Sequence, residues 1–221
     1  MRHQPGQVVE TRHDDIDDAG TGTVDHRLVV AELPLGEDGD LDRSYRFLSS
    51  RFGLTRCAYI GSQLERDLCA ATRLEGYLRA LSKDGAVLRQ STDLKLPRTA
   101  ETGYVLTRRL IEQGEIPQAI HYLNDAMAIG GLRFLIEAGI DVPGTVSVNG
   151  FNGTALPHSL TTRLTTIEVP LMQLGRKAAT AALMTAQQGS ANTIDLIDIG
   201  LTIGNTVLDR RMSPEAQDPA P

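Results

Sequence analysis

This chain of 221 residues contains no tryptophan, four phenylalanines and five tyrosines. A ligand site that stacks its guest on indole is excluded, and few aromatic platforms lie near polar segments: Phe151, Tyr104 and Tyr122 are the candidates by position. Cysteine is scarce too. Cys57 and Cys69 alone cannot build a disulfide framework, and their spacing matches no metal site. Cys57 sits in the apolar run CAYI and reads as a core residue, while Cys69 falls on a helix. No apolar run approaches the roughly 20 residues of a membrane span. The opening MRHQPGQVVE lacks the apolar stretch of a secretory leader, so the expectation is a cytoplasmic chain with no membrane partner. Positive charge is not in excess: the net charge is −6 and the pI about 5.4. Nucleic acid held by bulk charge needs a basic face, which this balance does not supply.

Catalytic signatures are missing as well. There is no G-x-S-x-G elbow, no P-loop and no G-x-G-x-x-G. His121 and His158 stand alone and read as structural or surface residues. The acidic clusters at 13–18 and 36–40 lack the glycine and glutamate spacing of a calcium loop and read as solvated loops. An enzyme is not expected, and no cofactor or metal is implied.

What is present is a cadence of strands and helices. Hydrophobic residues make up 41% and charged residues 23%, the proportions of an ordinary globular chain long enough to bury a core. Residues 1–40 read as poorly organised, with short apolar runs at Val8-Val9 and at 28–31. Tyr45, Phe47 and Leu48 fit one face of a helix over 42–50. Residues 57–60 form a buried strand ending at Gly61-Ser62. Leu68, Ala71, Leu74, Leu78 and Leu81 recur at three- and four-residue steps, which predicts an amphipathic helix over 66–81. Residues 87–96 read as a weak strand or loop. Helices follow over 102–113, closed by Gly114, and 125–138, closed by Gly139. Strands are predicted at 119–123 and 146–148, a helix at 171–186, and one or two strands within 194–206. The tail 210–221, rich in Pro, Asp and Gln, reads as disordered. Alternating strands and helices imply an α/β fold with parallel strands flanked by helices.

The stretch 119–167 concentrates the information. It holds an apolar strand, the pair Asn124-Asp125, a helix, a Gly139 turn, a second strand and the loop Gly150-Phe151-Asn152-Gly153. A β-α-β unit whose strands end in polar or glycine-rich residues presents a small-molecule site at its strand ends. The words LNDAMAIGGLRFLIEAGIDVPGTVSVNGFN, LTTRLTTIEVP and LGRKAATAAL, preceded in order by RCAYIGS and RLEGYLRAL, resemble the effector-binding domain of LacI/GalR-type transcription regulators. These are relatives of periplasmic sugar-binding proteins, and the resemblance runs from about 52 to 207. Regulators of gluconate use also resemble this chain in carrying GFNG.

The resemblance implies a periplasmic-binding-protein-like fold of two subdomains, the N-terminal one incomplete. It places a partial N-terminal subdomain at 41–115, a C-terminal core at 116–164, and a crossover, helix and final strands at 165–209. Residues 164–167 become a hinge-like crossover, and Val24-Asp25 takes the slot of a family motif. The resemblance also implies a sugar or sugar-acid effector in a cleft between the subdomains, and a homodimer. Arg73 would bind the ligand through its guanidinium fork; the alternative is a surface helix arginine. Asn124 suits hydroxyl recognition. Asp125 either caps the following helix or joins the ligand contacts. Asn152 stands where the family usually has Asp, which keeps an acceptor, loses the charge and permits an acidic ligand; the alternative is a turn residue. Arg98 belongs to a loop that the family places near the cleft. No helix-turn-helix is recognisable, so no direct nucleic-acid contact is expected from this chain, and operator DNA is left to full-length relatives. The alternatives are a solute-binding module without a DNA link and a truncated, non-functional paralogue.

Overall fold

A computed structural model describes residues 54–62, 68–83, 87–93, 95–114, 116–154, 161–188, 197 and 199–210. The expectations for residues 1–40, for a helix over 42–50, for His158 and for the tail beyond Arg210 lie outside the described residues. The elements are β1 (Arg56–Ser62), α1 (Leu68–Lys83), β2 (Val87–Asp93), α2 (Ala100–Glu112), β3 (Ala119–Tyr122), α3 (Asp125–Glu137), β4 (Ser147–Asn152), β5 (Thr165–Glu168), α4 (Leu171–Gln188) and β6 (Gly200–Thr202).

All six strands form one sheet, in the order β2-β1-β3-β4-β5-β6. The first five run parallel, and β6 pairs antiparallel with β5. This order corrects the expected division near residue 115. β1 and β2 were assigned to a separate subdomain, yet β1 pairs directly with β3, Cys57 opposite Ala119 and Ile60 opposite Tyr122. The described residues therefore hold one sheet and not two facing halves. Residues 164–167, expected as a hinge-like crossover, are instead buried and lie mostly in β5, Thr165 opposite Asn149 and Ile167 opposite Phe151.

Side-chain alternation along each strand sorts the helices onto two faces. His121 stacks on Tyr77 of α1, with ring centroids 4.8 Å apart. Its neighbour Tyr122 points the other way and shares a 2.8 Å hydrogen bond with Thr107 of α2. Helix α1 therefore covers one face, while α2 and α3 cover the other. The core runs through the middle of the sheet: Ala58, Tyr59, Ile60, Ile120, Tyr122, Val148, Phe151 and Ile167 are fully buried. Strands buried on both faces read as continuous apolar runs, which is why 57–60 was legible.

Local chemistry sets the helix ends. Thr99 caps α2 by accepting from the amide of Thr102 at 3.4 Å. Gly139, at φ +68°, closes α3 in the left-handed conformation that glycine adopts without a steric penalty. The amides of Gly139 and Ile140 then return to the carbonyls of Ile136 and Leu135. α2 and α3 pack backbone to backbone, because a Cβ on Gly103 or Gly130 would fall on the carbonyl of Met127 or of Ala100. The C-terminal segment is stitched to the start of β4: Thr206 Oγ1 donates to the Val148 carbonyl at 2.7 Å, and the Thr206 carbonyl accepts from the Val148 amide at 2.7 Å.

Helix α4 differs from the rest. Leu171, Met172, Leu183 and Met184 on it are exposed, and a Cβ on Gly175 would meet nothing within 4 Å. These two glycine environments predict opposite outcomes. Gly130→Ala should lower stability by about 1–3 kcal/mol through overpacking. Gly175→Ala should raise it by up to about 1 kcal/mol through helix propensity. Urea denaturation midpoints of the two variants check both signs.

Candidate functional site

Because β1 lies between β2 and β3, the chain leaves β1 toward one side of the sheet for β2 and enters β3 on the other. The carboxyl ends of β1 and β3 thus flank a reversal of strand order, where open α/β sheets form a ligand crevice. Ser62 ends β1, Leu123-Asn124 follow β3, and Asn152 ends β4.

Arg73 reaches this end of the sheet from α1. Its Nη1 donates to the Leu123 carbonyl at 3.2 Å, and its guanidinium lies 3.9 Å above the centroid of the Phe151 ring. Neither contact is with a carboxylate, and most of the five N–H donors of the guanidinium remain available. Phe151, expected as an aromatic platform for a ligand, is fully buried and carries the guanidinium instead. The other two aromatic candidates lie elsewhere. Tyr104 donates to Glu137 Oε2 at 2.7 Å on the outer side of α2 and α3, and Tyr122 is engaged with Thr107.

Asn124 takes the capping role that residue chemistry suggested for Asp125. Asn124 is the cap of α3: its Oδ1 accepts from the Met127 amide at 2.9 Å, and its Nδ2 donates to the Arg98 carbonyl at 3.4 Å. Both ends of the carboxamide are thereby occupied. Asp125, one residue on, turns its buried carboxylate inward. Its Oδ1 accepts from Thr166 Oγ1 at 2.6 Å and its Oδ2 from the Thr154 amide at 2.5 Å. The Gly153 amide adds a 3.3 Å contact to Thr166 Oγ1. Asp125 is therefore neither the cap nor a group facing outward; it ties the exit of β4 to β5. The reason is geometric. The cap must precede the first helical turn with an extended backbone, and Asn124 has that conformation at φ −151°, ψ 168°.

That tie shapes the loop that carries Asn152. Asn152 has φ +118°, a conformation uncommon for any residue but glycine, and Gly153 follows at +76°. The Asn152 side chain is half-buried and makes no hydrogen bond among the described residues. It opens onto a recess of about 330 Å³ lined by Gly153, Glu168, Val169, Pro170, Gln173 and Gly200.

Two further groups at this end were not singled out from sequence. The hydroxyls of Tyr59 and Ser62 are buried without a hydrogen-bond partner among the described residues. An unpaired buried hydroxyl costs roughly 1–3 kcal/mol, which an acceptor supplied by a ligand would recover. Burial pushes the Tyr59 hydroxyl far above its usual pKa, and the charges of Arg73 and Arg98 partly oppose that rise. Beneath them, Asn149 Nδ2 donates to His121 Nδ1 at 2.5 Å. Burial lowers the His121 pKa to about 3, with the Arg73 charge adding to the effect. The imidazole stays neutral at ordinary pH, so it is not a general base tuned for neutral solution. Among the described residues no group of three or more His, Cys, Asp or Glu could hold a metal. No helix there is long and apolar enough to cross a membrane.

Residues 49–207 match the model of the periplasmic binding protein-like domain. The chain belongs to that family. Within it, the chain is an effector-binding domain of the LacI/GalR type. It is similar to the ribose operon repressor of Escherichia coli strain K12, 30% identical over 179 residues that cover 80% of this chain and 53% of that protein. It is similar to the HTH-type transcriptional repressor PurR of Erwinia tasmaniensis, 30% identical over 72% of this chain and 49% of that protein. Its fold matches the crystal structure of a LacI-family transcriptional regulator from Silicibacter pomeroyi, with a TM-score of 0.67 and 26% identity, covering 76% of this chain and 52% of that one. The chain spans about half the length of these curated relatives.

The Asp125 tie has a pH signature. Burial is the larger cause and raises its carboxyl pKa above 3.8, while the bonds from Thr166 and Thr154 pull it down. A folded-state pKa above the unfolded value means that the native state holds the proton more tightly. The contribution is then fully present below pH 3.8 and is lost as pH rises through the raised midpoint. Urea melts between about pH 3.5 and 7 should show the wild type losing stability relative to Asp125→Asn as pH rises. The opposite slope would mean that hydrogen bonding outweighs burial.

Proposed function

We propose that this chain is the effector-binding portion of a cytoplasmic LacI/GalR-type transcription regulator. It takes a small polar ligand, a sugar or sugar acid, at the carboxyl ends of β1, β3 and β4. The observation that carries this reading is the Arg73 guanidinium, fixed over Phe151 and against the Leu123 carbonyl without a carboxylate partner. A planar, preorganised fork of donors loses little freedom when it binds hydroxyls or a carboxylate. Asn152 is the second contact, with a carboxamide able to donate and accept. Arg98 supplies further positive charge at the same end. Asn124, Asp125 and Phe151 act from behind: the first holds α3 and the Arg98 carbonyl, the second the Asn152 loop, the third Arg73.

The ligand acts on a homodimer, and the exposed apolar residues of α4 offer surface that association would cover. A shift in dimer geometry on ligand binding would alter operator affinity through the DNA-reading part of the longer relatives, with no direct nucleic-acid contact from the described residues. The reading is of a sensor without turnover and without a cofactor.

A thermal-shift screen of the whole chain against pentoses, hexoses, sugar acids and nucleosides tests it. A ligand at 100 times its Kd should stabilise the protein by about 2.7 kcal/mol. Arg73→Ala should weaken the same ligand at least about tenfold, a loss of ~1.4 kcal/mol. A ligand shift that survives Arg73→Ala unchanged would remove the guanidinium from the site.

A further inference from the structure

The recess beside Asn152 contains a carboxylate that the strand-end residues alone do not reveal. Glu168 stands directly opposite Asn152 in the β4–β5 register. Paired residues on adjacent parallel strands project to the same face of the sheet, so the Asn152 carboxamide and the Glu168 carboxylate share one wall of the recess. Oε1 of Glu168 is held by the hydroxyl of Thr202 on β6. That bond orients the carboxylate and leaves Oε2 as an acceptor with no donor among the described residues. Gln173, in the first turn of α4, adds a second carboxamide.

Glycines keep this wall open. A Cβ on Gly153 would press on Cγ of Glu168 at 2.8 Å, and the nearest group to a Cβ on Gly200 would again be Glu168, at 3.8 Å. The space is bounded by two carboxamides and one carboxylate, with no cation among its lining residues. Hydroxyl groups suit such a lining because they donate to the carboxylate and exchange bonds with the amides. A second carboxylate suits it poorly, since like charges at short range repel.

We propose that Glu168 is a specificity-determining acceptor, and that the Asn152–Glu168 recess admits the hydroxyl-bearing end of the effector while rejecting an anionic one. The inference rests on the ligand-site reading above and sharpens it. Replacing an acid by Asn152 does not make this part of the site receptive to anions, because Glu168 restores the charge from the neighbouring strand. A carboxylate on the effector belongs at the Arg73 end.

Three acyclic six-carbon ligands separate the possibilities: D-glucitol, D-gluconate and D-glucarate carry zero, one and two carboxylates on the same polyol chain. Calorimetry with the full chain should show D-glucarate binding at least about tenfold more weakly than D-gluconate. Glu168→Gln keeps an oxygen for Thr202 and removes the charge. It should erase most of that penalty while leaving D-gluconate within a few-fold. Equal affinity for the two acids in the wild type, or a penalty that persists in Glu168→Gln, would overturn the assignment. Binding by none of the three would overturn it as well, and the broader site reading would survive only if another ligand of the screen bound in an Arg73-dependent manner.

Discussion

The buried carboxylate of Asp125 is the constraint on which the candidate site depends. It sits at the first position of α3, yet it turns away from the helix axis and grips Thr166 of β5 and the backbone of Thr154. One side chain thereby joins three elements: the α3 start, the loop leaving β4, and β5. A buried carboxylate tolerates this position because hydrogen bonds to it replace those it would make with water. That grip acts together with the Gly153 amide on Thr166 Oγ1 and the Val169 amide on the Asn152 carbonyl to fix the left-handed turn at Asn152 and Gly153. The position of Asn152 next to Glu168 follows from it.

Polar residues at the strand ends divide into those that build the site and those that face it. Asn124 is spent on capping, Phe151 on supporting a guanidinium, and Asp125 on the loop. Arg73 and Asn152 keep unused hydrogen-bonding capacity, and Tyr59 and Ser62 hold hydroxyls without acceptors. This distribution matches what a preorganised polar site requires: contact groups held by neighbours whose own bonds are complete. It also explains how a chain so poor in aromatic residues can offer a recognition surface. On the proposed reading, recognition is by hydrogen bonds and charge, with the aromatic rings placed behind the polar groups.

Much of the local structure was legible in the residues. The leucine spacing of α1, the apolar run of β1 and the glycine closing α3 each carry a physical requirement that few other residues meet, and each element appears where expected. The less legible features are those that depend on which strand lies beside which. The neighbours of β1 are β2 and β3, and no periodicity within either segment reveals that pairing; a single sheet was therefore read as parts of two subdomains. β5 is short and two of its four residues are threonine, so it resembled a connector until its pairing with β4 was known. Glu168 has meaning only opposite Asn152. The placing of the cap at Asn124 and not at Asp125 is a matter of one residue, because both types cap helices well and only the backbone angles decide between them.

The central proposal is that a small polar guest binds at the carboxyl ends of the parallel strands, in contact with Arg73. Mapping backbone amide shifts of the isotopically labelled chain during titration with the ligand that gives the largest thermal shift tests it most directly. The account predicts perturbations gathered at residues 61–62, 73, 98–99, 123–125, 152–154 and 168–170. Shifts gathered instead around residues 56, 119 and 147, at the opposite ends of the same strands, would contradict it.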